Sequence, residues 1–522
     1  MVRTTLAFLI LGLLASPVPP PGAGAAPQGR PVTKVENEDF KDVRRIINDA
    51  IRQKATPSVS VAVSHGGKII WLESVGWANG PQRVRATPHT AYPIGSITKP
   101  MTATAIMMLA ERGEIDIGKP AEKYLEDFKF TAYKGKSKNV TIKHLLNHTS
   151  GLPLHFNYFF GDDVYDPPDF LETFERYGIL VHPPGAVFQY SDLGYEVLGR
   201  MIAETSGMPY EEFMRKEVFE PLGMTGTWVG FESEYAGMTA QTYDADFKPL
   251  PHVTMDTPAA GAVFSTAYCL LRFGMFHLKN NLPSVPRIIT NEAIDAMQSD
   301  VDRTVSRASE DLYGLGWFSR ENDHGYRTVW HEGGVGGAKS MLKLVPSENI
   351  AVVVLMNIWS DDLPGRITDE ILGVLLPEYK ENRGKGEIPA SPRFEPYKAT
   401  PDLTGQWKGE IKTYSGDIPV YMVFQEDGDI HFMKALDVDR TATPQEQDYF
   451  DRVLSNAGVL GSHIHGRLDM RIPTPDAARE SHTVELDVVR DGKRMSGSVS
   501  ALSAGERMYY GLSYYISLEK QD

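Results

Sequence analysis

Residues 96–99 read Ser-Ile-Thr-Lys, a Ser-x-x-Lys motif at the predicted start of a helix. Side chains three residues apart share one face of an α-helix, so the amine of Lys99 can reach the hydroxyl of Ser96. A serine hydroxyl is a weak nucleophile that needs an adjacent base, and a desolvated lysine that has lost its proton can fill that role. The start of a helix also places the backbone N–H of Ser96 where it could stabilise a developing oxyanion.

The motif is weak when taken alone, because residues 340–343 and 517–520 match the same pattern. Both of these copies lie in predicted strands, where side chains three residues apart point to opposite faces and cannot act together. For an isolated Ser-x-x-Lys, a helix cap with a solvated lysine is the simpler interpretation. The copy at 96–99 is set apart by the motifs that accompany it.

Composition and charge exclude several classes of protein. The chain of 522 residues has 53 Lys and Arg against 68 Asp and Glu, a formal net charge of −15. It contains no run of five basic residues, and phosphate binding depends on clustered positive charge, so we expect no nucleic-acid partner. The single cysteine, Cys269, excludes an internal disulfide and a cysteine-based metal cluster. Its apolar neighbours favour a buried position in a helix.

The N-terminal residues have the layout of a cleavable secretory signal. Arg3 precedes an apolar run at residues 6–15, and small residues occupy positions 23–25. The run is shorter than the about 20 residues that cross a bilayer, which favours cleavage of residues 1–25 over an uncleaved anchor. We therefore expect a secreted or periplasmic protein that has no contact with a membrane after signal cleavage.

Hydrophobic periodicity predicts two folded regions. Residues 36–378 have strand patterns near both ends and helical patterns between them, which indicates a mixed α/β fold. We expect an antiparallel sheet flanked by helices, with a helical subdomain. Residues 379–402 are rich in Pro, Gly and charge and are predicted to be a linker. Residues 403–522 alternate polar and apolar side chains and predict a C-terminal all-β domain, a small barrel or meander.

Several further motifs follow Ser96 in order along the chain. They are Thr-Ile-Lys-His-Leu-Leu-Asn-His-Thr-Ser-Gly-Leu at 141–152, Tyr-Ser-Asp at 190–192, Tyr-Gly-Leu-Gly-Trp at 313–317 and His-Glu-Gly-Gly at 331–334. Together with Ser-x-x-Lys, they resemble the serine hydrolase superfamily that contains class C β-lactamases, D-alanyl-D-alanine carboxypeptidases, D-aminopeptidases and related esterases. The resemblance extends over about residues 36–378 and implies a β-lactamase-like or transpeptidase-like fold.

The resemblance also implies a role for each matching residue. It makes Ser96 the nucleophile, Lys99 its activating partner, and Tyr190 the general base and proton shuttle, either as a phenolate or through Lys99. His331 would tune this proton network from the strand that edges the site. The backbone N–H groups of Ser96 and Gly334 would form the oxyanion hole. The implied reaction is formation and hydrolysis of a covalent acyl-enzyme, with no metal and no cofactor.

Two departures from the family's motifs bear on the substrate. Asp192 stands where an asparagine is common, and Glu332 stands where a threonine is common. We expect both side chains to contact the substrate and, as two anions, to repel an anionic ligand by on the order of kilocalories per mole at about 4 Å. On this argument neutral esters or amine-bearing amides are better substrates than β-lactams and D-Ala-D-Ala termini.

Other features admit two interpretations each. Residues 153–184 are rich in aromatic side chains, and Phe159 and Phe160 would form a substrate wall or lid, or else a cluster that packs the loop onto the protein. His144 and His148 have a spacing that could suit a metal ion. No acidic ligand accompanies them in the motif, so we expect no metal there.

The sequence therefore predicts a serine hydrolase that acts on a small-molecule ester or amide, most simply an esterase. One alternative is a D-amino-acid amidase or peptidase, or a β-lactamase, that uses the same residues. Another is a catalytically silent binding protein with the same fold. The intact set of Ser96, Lys99, Tyr190 and His331 argues against this last alternative.

Overall fold

The computed structural model describes residues 40–126, 128–163, 167–231, 233–280, 282, 285–299, 311–385, 395–434, 451–472, 474–477, 482–503 and 509–521. The α-helices within these ranges are α1 (Lys41–Arg52), α2 (Thr98–Glu111), α3 (Ile142–Leu146), α4 (Phe170–Tyr177), α5 (Asp192–Ser206), α6 (Tyr210–Phe213), α7 (Pro258–Gly261), α8 (Ala267–His277), α9 (Asn291–Gln298), α10 (Leu363–Leu375) and α11 (Pro377–Gly384). A π-helical turn, Met214–Phe219, continues α6. Among the described helices, none is both long enough and apolar enough to cross a membrane.

The strands fall into two groups, which lie before and after the helical stretch of α10 and α11. Those before it are β1 (Ser58–His65), β2 (Lys68–Asn79), β3 (Val84–Arg85), β4 (Ala91–Pro93), β5 (Thr131–Ala132), β6 (Phe156–Phe160), β7 (Ile179–Leu180), β8 (Thr227–Val229), β9 (Val253–Met255), β10 (Val263–Thr266), β11 (Leu312–Tyr313), β12 (Phe318–Asp323), β13 (Tyr326–Val335), β14 (Ala338–Val345) and β15 (Ile350–Met356). Those that follow are β16 (Glu395–Pro396), β17 (Gly405–Thr413), β18 (Gly416–Phe424), β19 (Ile430–Lys434), β20 (Asp451–Val453), β21 (Ser455–Leu460), β22 (His463–Asp469), β23 (His482–Asp491), β24 (Arg494–Ser503) and β25 (Tyr510–Lys520).

The first region is organised around an eight-stranded sheet with the order β11-β12-β13-β14-β15-β1-β2-β3. Its neighbouring strands are antiparallel, and β1 from one end of the region pairs with β15 from the other. Strand β15 is buried along its whole length because both faces of the sheet are covered. Val352 and Val354 face a cluster formed with α1 and α10, whereas Val353 and Leu355 face the larger core that includes α8.

Glycines allow the start of α2 to approach β13 very closely. A Cβ atom on Gly95 would lie 2.6 Å from the backbone N of Gly334, and one on Gly333 would lie 1.8 Å from the carbonyl oxygen of Ile94. Gly95 also has φ +52°, a left-handed conformation that glycine adopts without strain. This contact places Ser96, the next residue along the chain, against the strand that carries the His-Glu-Gly-Gly motif.

The C-terminal region is a curled antiparallel sheet with the strand order β16-β21-β22-β23-β24-β25-β17-β18-β19-β20. Most of its strands pair with their neighbours along the chain, as in a meander. The alternating apolar residues Val484, Leu486 and Val488 all point into the core. Together with the helix-flanked sheet of the first region, this arrangement confirms the predicted fold class.

The C-terminal sheet is continuous with a strand of the first region. Tyr510 and Gly511 of β25 pair with Asn157 and Phe156 of β6. The predicted loop at 153–184 therefore contains a strand. This strand, β6, pairs with β9 and β25, both of which lie far from it in the sequence. The described residues from 40 onward belong to one compact unit, and α11 occupies the first part of the predicted linker. The domain boundaries and the signal at residues 1–25, which lies outside the described residues, stay predictions.

The junction between β6 and β25 can be tested with Gly511→Ala. A Cβ atom on Gly511 would lie 2.5 Å from the ring of Phe156, so we expect overpacking to lower the free energy of unfolding by about 1–3 kcal/mol. The urea unfolding midpoint measures this loss.

The matched control is Gly365→Ala in α10, where an added Cβ atom meets nothing within 4 Å. Alanine is the better helix former, so this variant should be as stable as wild type or more stable by up to about 1 kcal/mol. Equal midpoints for the two variants would show that β25 does not hold β6.

Candidate active site

Lys99 lies at the centre of a group of polar atoms at the N-terminal end of α2. Its Nζ donates hydrogen bonds to Ser96 Oγ and to the carbonyl oxygen of Ala260, both at 3.1 Å. The same Nζ forms an ion pair with Asp192 Oδ1 at 2.5 Å. Burial lowers the pKa of Lys99, and the charge of Asp192 opposes this effect. The structure thus places a buried amine against the predicted nucleophile.

Tyr190 lies on the other side of the same serine. The ring centroid of Tyr190 is 4.7 Å from Nζ of Lys99. Burial raises the pKa of Tyr190 well above its ordinary value, the nearby carboxylate of Asp192 raises it further, and an interaction with the hydroxyl of Ser96 lowers it in part. In this geometry Tyr190 is a neutral phenol. It can donate a proton, but it is not ionised in the resting protein.

His331 on β13 is close to these groups and is fully hydrogen-bonded. Its Nδ1–H donates to the carbonyl oxygen of Glu332 at 2.6 Å, so the hydroxyl of Tyr313 donates to Nε2 at 3.1 Å. Burial, with the positive charge of Lys99, lowers the pKa of His331 to about 3. The imidazole is therefore neutral at physiological pH and fixed in one tautomer.

The predicted oxyanion hole lies where α2 meets β13. Because the backbone N of Gly334 lies against Gly95, the residue before Ser96, the backbone groups of the two motifs are close together. The indole of Trp359 covers Gly334 from the outside, with Cζ3 only 2.5 Å from the position of an added Cβ atom. Backbone N–H groups that point at one position stabilise a tetrahedral oxyanion, and the oxyanion hole formed by Ser96 and Gly334 stays a prediction.

The two acidic residues are not the uncompensated anions that the sequence analysis expected. Asp192 is buried and faces Lys99, whereas Glu332 pairs with Lys339 at 2.9 Å. Each carboxylate thus has its own cation. Ion pairing weakens the predicted repulsion of anionic substrates, since a neutralised pair exerts little net field on a ligand; the predicted contact of these side chains with substrate stays a prediction.

Phe159 and Phe160 are buried side chains of β6. Phe160 packs in a cluster with Leu250, Val253, Met255 and Val335, and its ring meets that of Tyr509 edge to face at 5.3 Å. These contacts favour the packing interpretation over a lid. A role for either phenylalanine in substrate selection stays a prediction.

Comparison of the chain with models of known protein families agrees with this arrangement of residues. Residues 43–373 match the model of the family described as Beta-lactamase. The chain belongs to the beta-lactamase family. The resemblance seen in the sequence is thereby confirmed, and the match contains every residue predicted for the site.

Known proteins are similar to this family member over different lengths. Protein flp of Staphylococcus aureus (strain N315) is 27% identical over 347 residues, which cover 64% of this chain and 66% of that protein. The chain thus spans slightly less than two thirds of that relative. A penicillin-binding protein homologue from Pyrococcus abyssi is 22% identical, with TM-score 0.56 over 92% of this chain and 100% of that one. A class C beta-lactamase is 20% identical, with TM-score 0.55 over 65% of this chain and 96% of that one.

His148 belongs to the site of this beta-lactamase family member, although its spacing from His144 first suggested a metal. Its Nδ1 accepts the backbone N–H of Ser191 at 3.1 Å, and its ring centroid lies 4.2 Å from that of Tyr190. His144 instead accepts the N–H of Thr141 and caps α3. In the part of the chain that the structure describes, no group of three or more His, Cys, Asp or Glu side chains could hold a metal ion.

Two further residues near the site were missed in the sequence. The hydroxyl of Tyr158 lies 3.5 Å from the carbonyl oxygen of Gly334, and nothing in its aromatic-rich segment distinguishes it from its neighbours. Glu196 is buried on α5 and accepts the N–H of Ala259 at 3.0 Å. It thereby holds α7, whose Ala260 carbonyl contacts Lys99. Glu196 lies one helical turn after Asp192. This spacing is the only feature of the sequence that could have indicated a role for Glu196 at the site.

The positioning role of His148 is tested by His148→Asn. Asparagine tolerates the positive φ of 59° at this position but lacks the ring that packs on Tyr190. We expect the rate of ester hydrolysis to fall by about tenfold or more, since a misplacement of about 1 Å in a catalytic group has effects of that order.

The control is His144→Asn, which removes a helix cap without touching Tyr190. Its cost in stability should be about 1 kcal/mol, with turnover close to that of wild type. A similar loss of turnover in both variants would contradict the assignment of His148.

Burial of the carboxyl group of Glu196 predicts that the stability of the folded protein depends on pH. Burial raises the pKa of Glu196 to about 8, whereas its ordinary value is 4.5. The folded protein therefore binds a proton that the unfolded chain has released between these values, and this stabilisation is lost as the pH rises through about 8.

Glu196→Gln cannot ionise and can still accept the N–H of Ala259. Its free energy of unfolding relative to wild type, measured by urea denaturation, should increase between pH 5 and pH 9, by up to several kcal/mol at about 1.4 kcal/mol per pKa unit. Glu175→Gln, an exposed change on α4, is the control. A difference for Glu196→Gln that does not vary with pH would contradict the buried neutral carboxyl.

Proposed function

We propose that this protein is a secreted or periplasmic serine hydrolase that cleaves small-molecule carboxylic esters through a covalent acyl-enzyme on Ser96. The observation that carries the proposal is the environment of Ser96, whose hydroxyl accepts a hydrogen bond from Nζ of Lys99 at 3.1 Å, while the ring of Tyr190 lies 4.7 Å from the same Nζ. A serine beside a buried amine and a neutral phenol has both a base and a proton shuttle at hand. Membership of a hydrolase family agrees with this chemistry.

The proton transfers can be written from these contacts. The oxygen of Ser96 attacks the ester carbonyl while its proton passes to the neutral amine of Lys99. The oxyanion is stabilised by the N–H groups of Ser96 and Gly334. As the tetrahedral intermediate collapses, Tyr190 donates its proton to the departing alkoxide and recovers one from the ammonium of Lys99. A water molecule then cleaves the acyl-enzyme by the same transfers in reverse order.

Pairing of the site's cations supports neutral esters as the substrate class. Lys99 is paired with Asp192, and Lys339 is paired with Glu332. Lys99, the lysine in contact with Ser96, is therefore held in a buried pair. Hydrogen bonding of Lys99 to a substrate carboxylate would require this pair to break, which is costly for a buried pair. This reason adds to the repulsion expected from the sequence, which ion pairing weakens.

A second candidate is hydrolysis of amine-bearing amides, such as D-amino-acid derivatives, by the same residues. The side chain of Glu332 is half exposed. Because exposed ion pairs are weak, Glu332 can exchange Lys339 for the ammonium group of a substrate at little cost. The relative rates on esters and on D-amino-acid amides distinguish the two candidates.

The decisive measurement is a panel of p-nitrophenyl esters, D-amino-acid p-nitroanilides and nitrocefin, assayed with wild type and Ser96→Ala. We expect ester turnover in wild type and a loss of about 10⁴-fold or more in Ser96→Ala, as for removal of other catalytic serines. Ser517→Ala is a matched control, since it alters a Ser-x-x-Lys that lies in a strand. It should turn over esters at the wild-type rate.

Two outcomes would overturn parts of the proposal. Ester turnover that survives Ser96→Ala would remove the mechanism, whereas nitrocefin or anilide turnover that exceeds ester turnover would remove the substrate class. A fluorophosphonate probe adds a readout that needs no substrate. If it fails to label wild type under conditions where a known serine hydrolase reacts, a non-catalytic binding protein is favoured.

A further inference from the structure

We propose that Asp192 is the counter-ion of Lys99 and sets the pH at which Ser96 becomes nucleophilic. This inference rests on the proposed function and concerns the regulation of the same site. It replaces the expectation that Asp192 contacts the substrate. On this assignment Asp192 is a positioning residue, because it acts on the reaction through Lys99.

The carboxylate of Asp192 is in direct contact with the amine of Lys99. Asp192 Oδ1 lies 2.5 Å from Nζ of Lys99, and the two side chains are 9% and 0% exposed. Asp192 is the first residue of α5, where the helix dipole stabilises a negative charge. The side chain of the preceding Ser191 accepts the N–H of Gly194 and so caps the same turn. The carboxylate is thus held in place by its helix as well as by the lysine.

The remaining groups around Lys99 come from several elements. They are Ser96 from the turn before α2, the carbonyl oxygen of Ala260 from α7, Tyr195 from α5, Tyr190 from the segment before it, His148 from the segment after α3, and His331 from β13. Both histidines are neutral because burial lowers their pKa values. Glu332 and Lys339 are paired with each other at the outer side of β13. Within this described set, Asp192 supplies the one negative charge in contact with Nζ.

This charge has a direct consequence for catalysis. An ammonium cannot accept the proton of Ser96, so the reaction requires the neutral form of Lys99. Burial already favours the neutral amine, and the carboxylate of Asp192 favours the ammonium. Removing the negative charge while keeping the shape of the side chain should therefore make the serine reactive at lower pH.

The test measures the rate at which a fluorophosphonate probe labels Ser96 between pH 5 and pH 10. In wild type the rate should rise with pH as Lys99 loses its proton. In Asp192→Asn the midpoint of that rise should fall by about 1–3 pH units, the effect of removing an opposite charge within about 4–6 Å. Labelling below the wild-type midpoint should then be about tenfold or more faster.

Two further variants complete the design. Asp192→Ser also removes the charge and should shift the midpoint in the same direction, which keeps the test valid if Asp192→Asn does not fold. Asp42→Asn removes an acid from the first turn of α1, far from the site in sequence and exposed to solvent, and should leave the midpoint unchanged. A purely structural role for Asp192 would lower the rate at every pH without moving the midpoint.

The outcomes separate this inference from the proposed function. In one outcome, the probe labels the two Asp192 variants with a midpoint that stays at the wild-type value or moves to higher pH. This result would overturn the counter-ion role, while the serine hydrolase assignment stands. A wild type that is not labelled at any pH would overturn the proposed function, and this inference with it. An increase in KM for p-nitrophenyl esters with no shift of the midpoint would restore Asp192 as a substrate contact.

Discussion

The structure around Ser96 depends on the burial of one lysine. Taking an ammonium out of water costs several kcal/mol even after the protein relaxes, so Lys99 is tolerated only with partners on several sides. Asp192 comes from α5, the carbonyl of Ala260 comes from α7, and Ser96 comes from the turn before α2. Glu196 in turn holds α7 by its bond to Ala259. The helical part of the fold thereby positions each group that the lysine requires.

The sheet supplies the other half of the site, and the C-terminal region supports it. β13 can approach Ser96 only because Gly95 and Gly333 carry no side chain. Tyr158 reaches β13 from β6, a strand that is completed on one side by β25. The amide of Gln189, next to Tyr190, donates to Ser498 at 2.9 Å. Residues beyond the family match at 43–373 therefore contact two of the segments that form the wall of the site.

The sequence predicted those features that depend on local pattern. Strands near both ends of residues 36–378, such as β1 and β15, and helices between them, such as α5 and α8, agree with the predicted pattern of the chain. The motifs also indicated which distant residues meet, although spacing alone does not set their roles. Strand β6 could not be predicted, because its pairing partners lie about 100 and 350 residues away and its own pattern is simply aromatic.

The role of charge was the least predictable part of the site. Asp192 and Glu332 count as anions in a sequence, but the structure gives each of them a lysine, 93 and 7 residues away respectively. With both pairs formed and both nearby imidazoles neutral, the net charge around Ser96 is close to zero. A pocket without net charge has no long-range attraction or repulsion with which to select its ligand. Its selectivity must come from shape and from short-range hydrogen bonds, and the half-exposed Glu332 and the indole that covers Gly334 are two groups that can provide them.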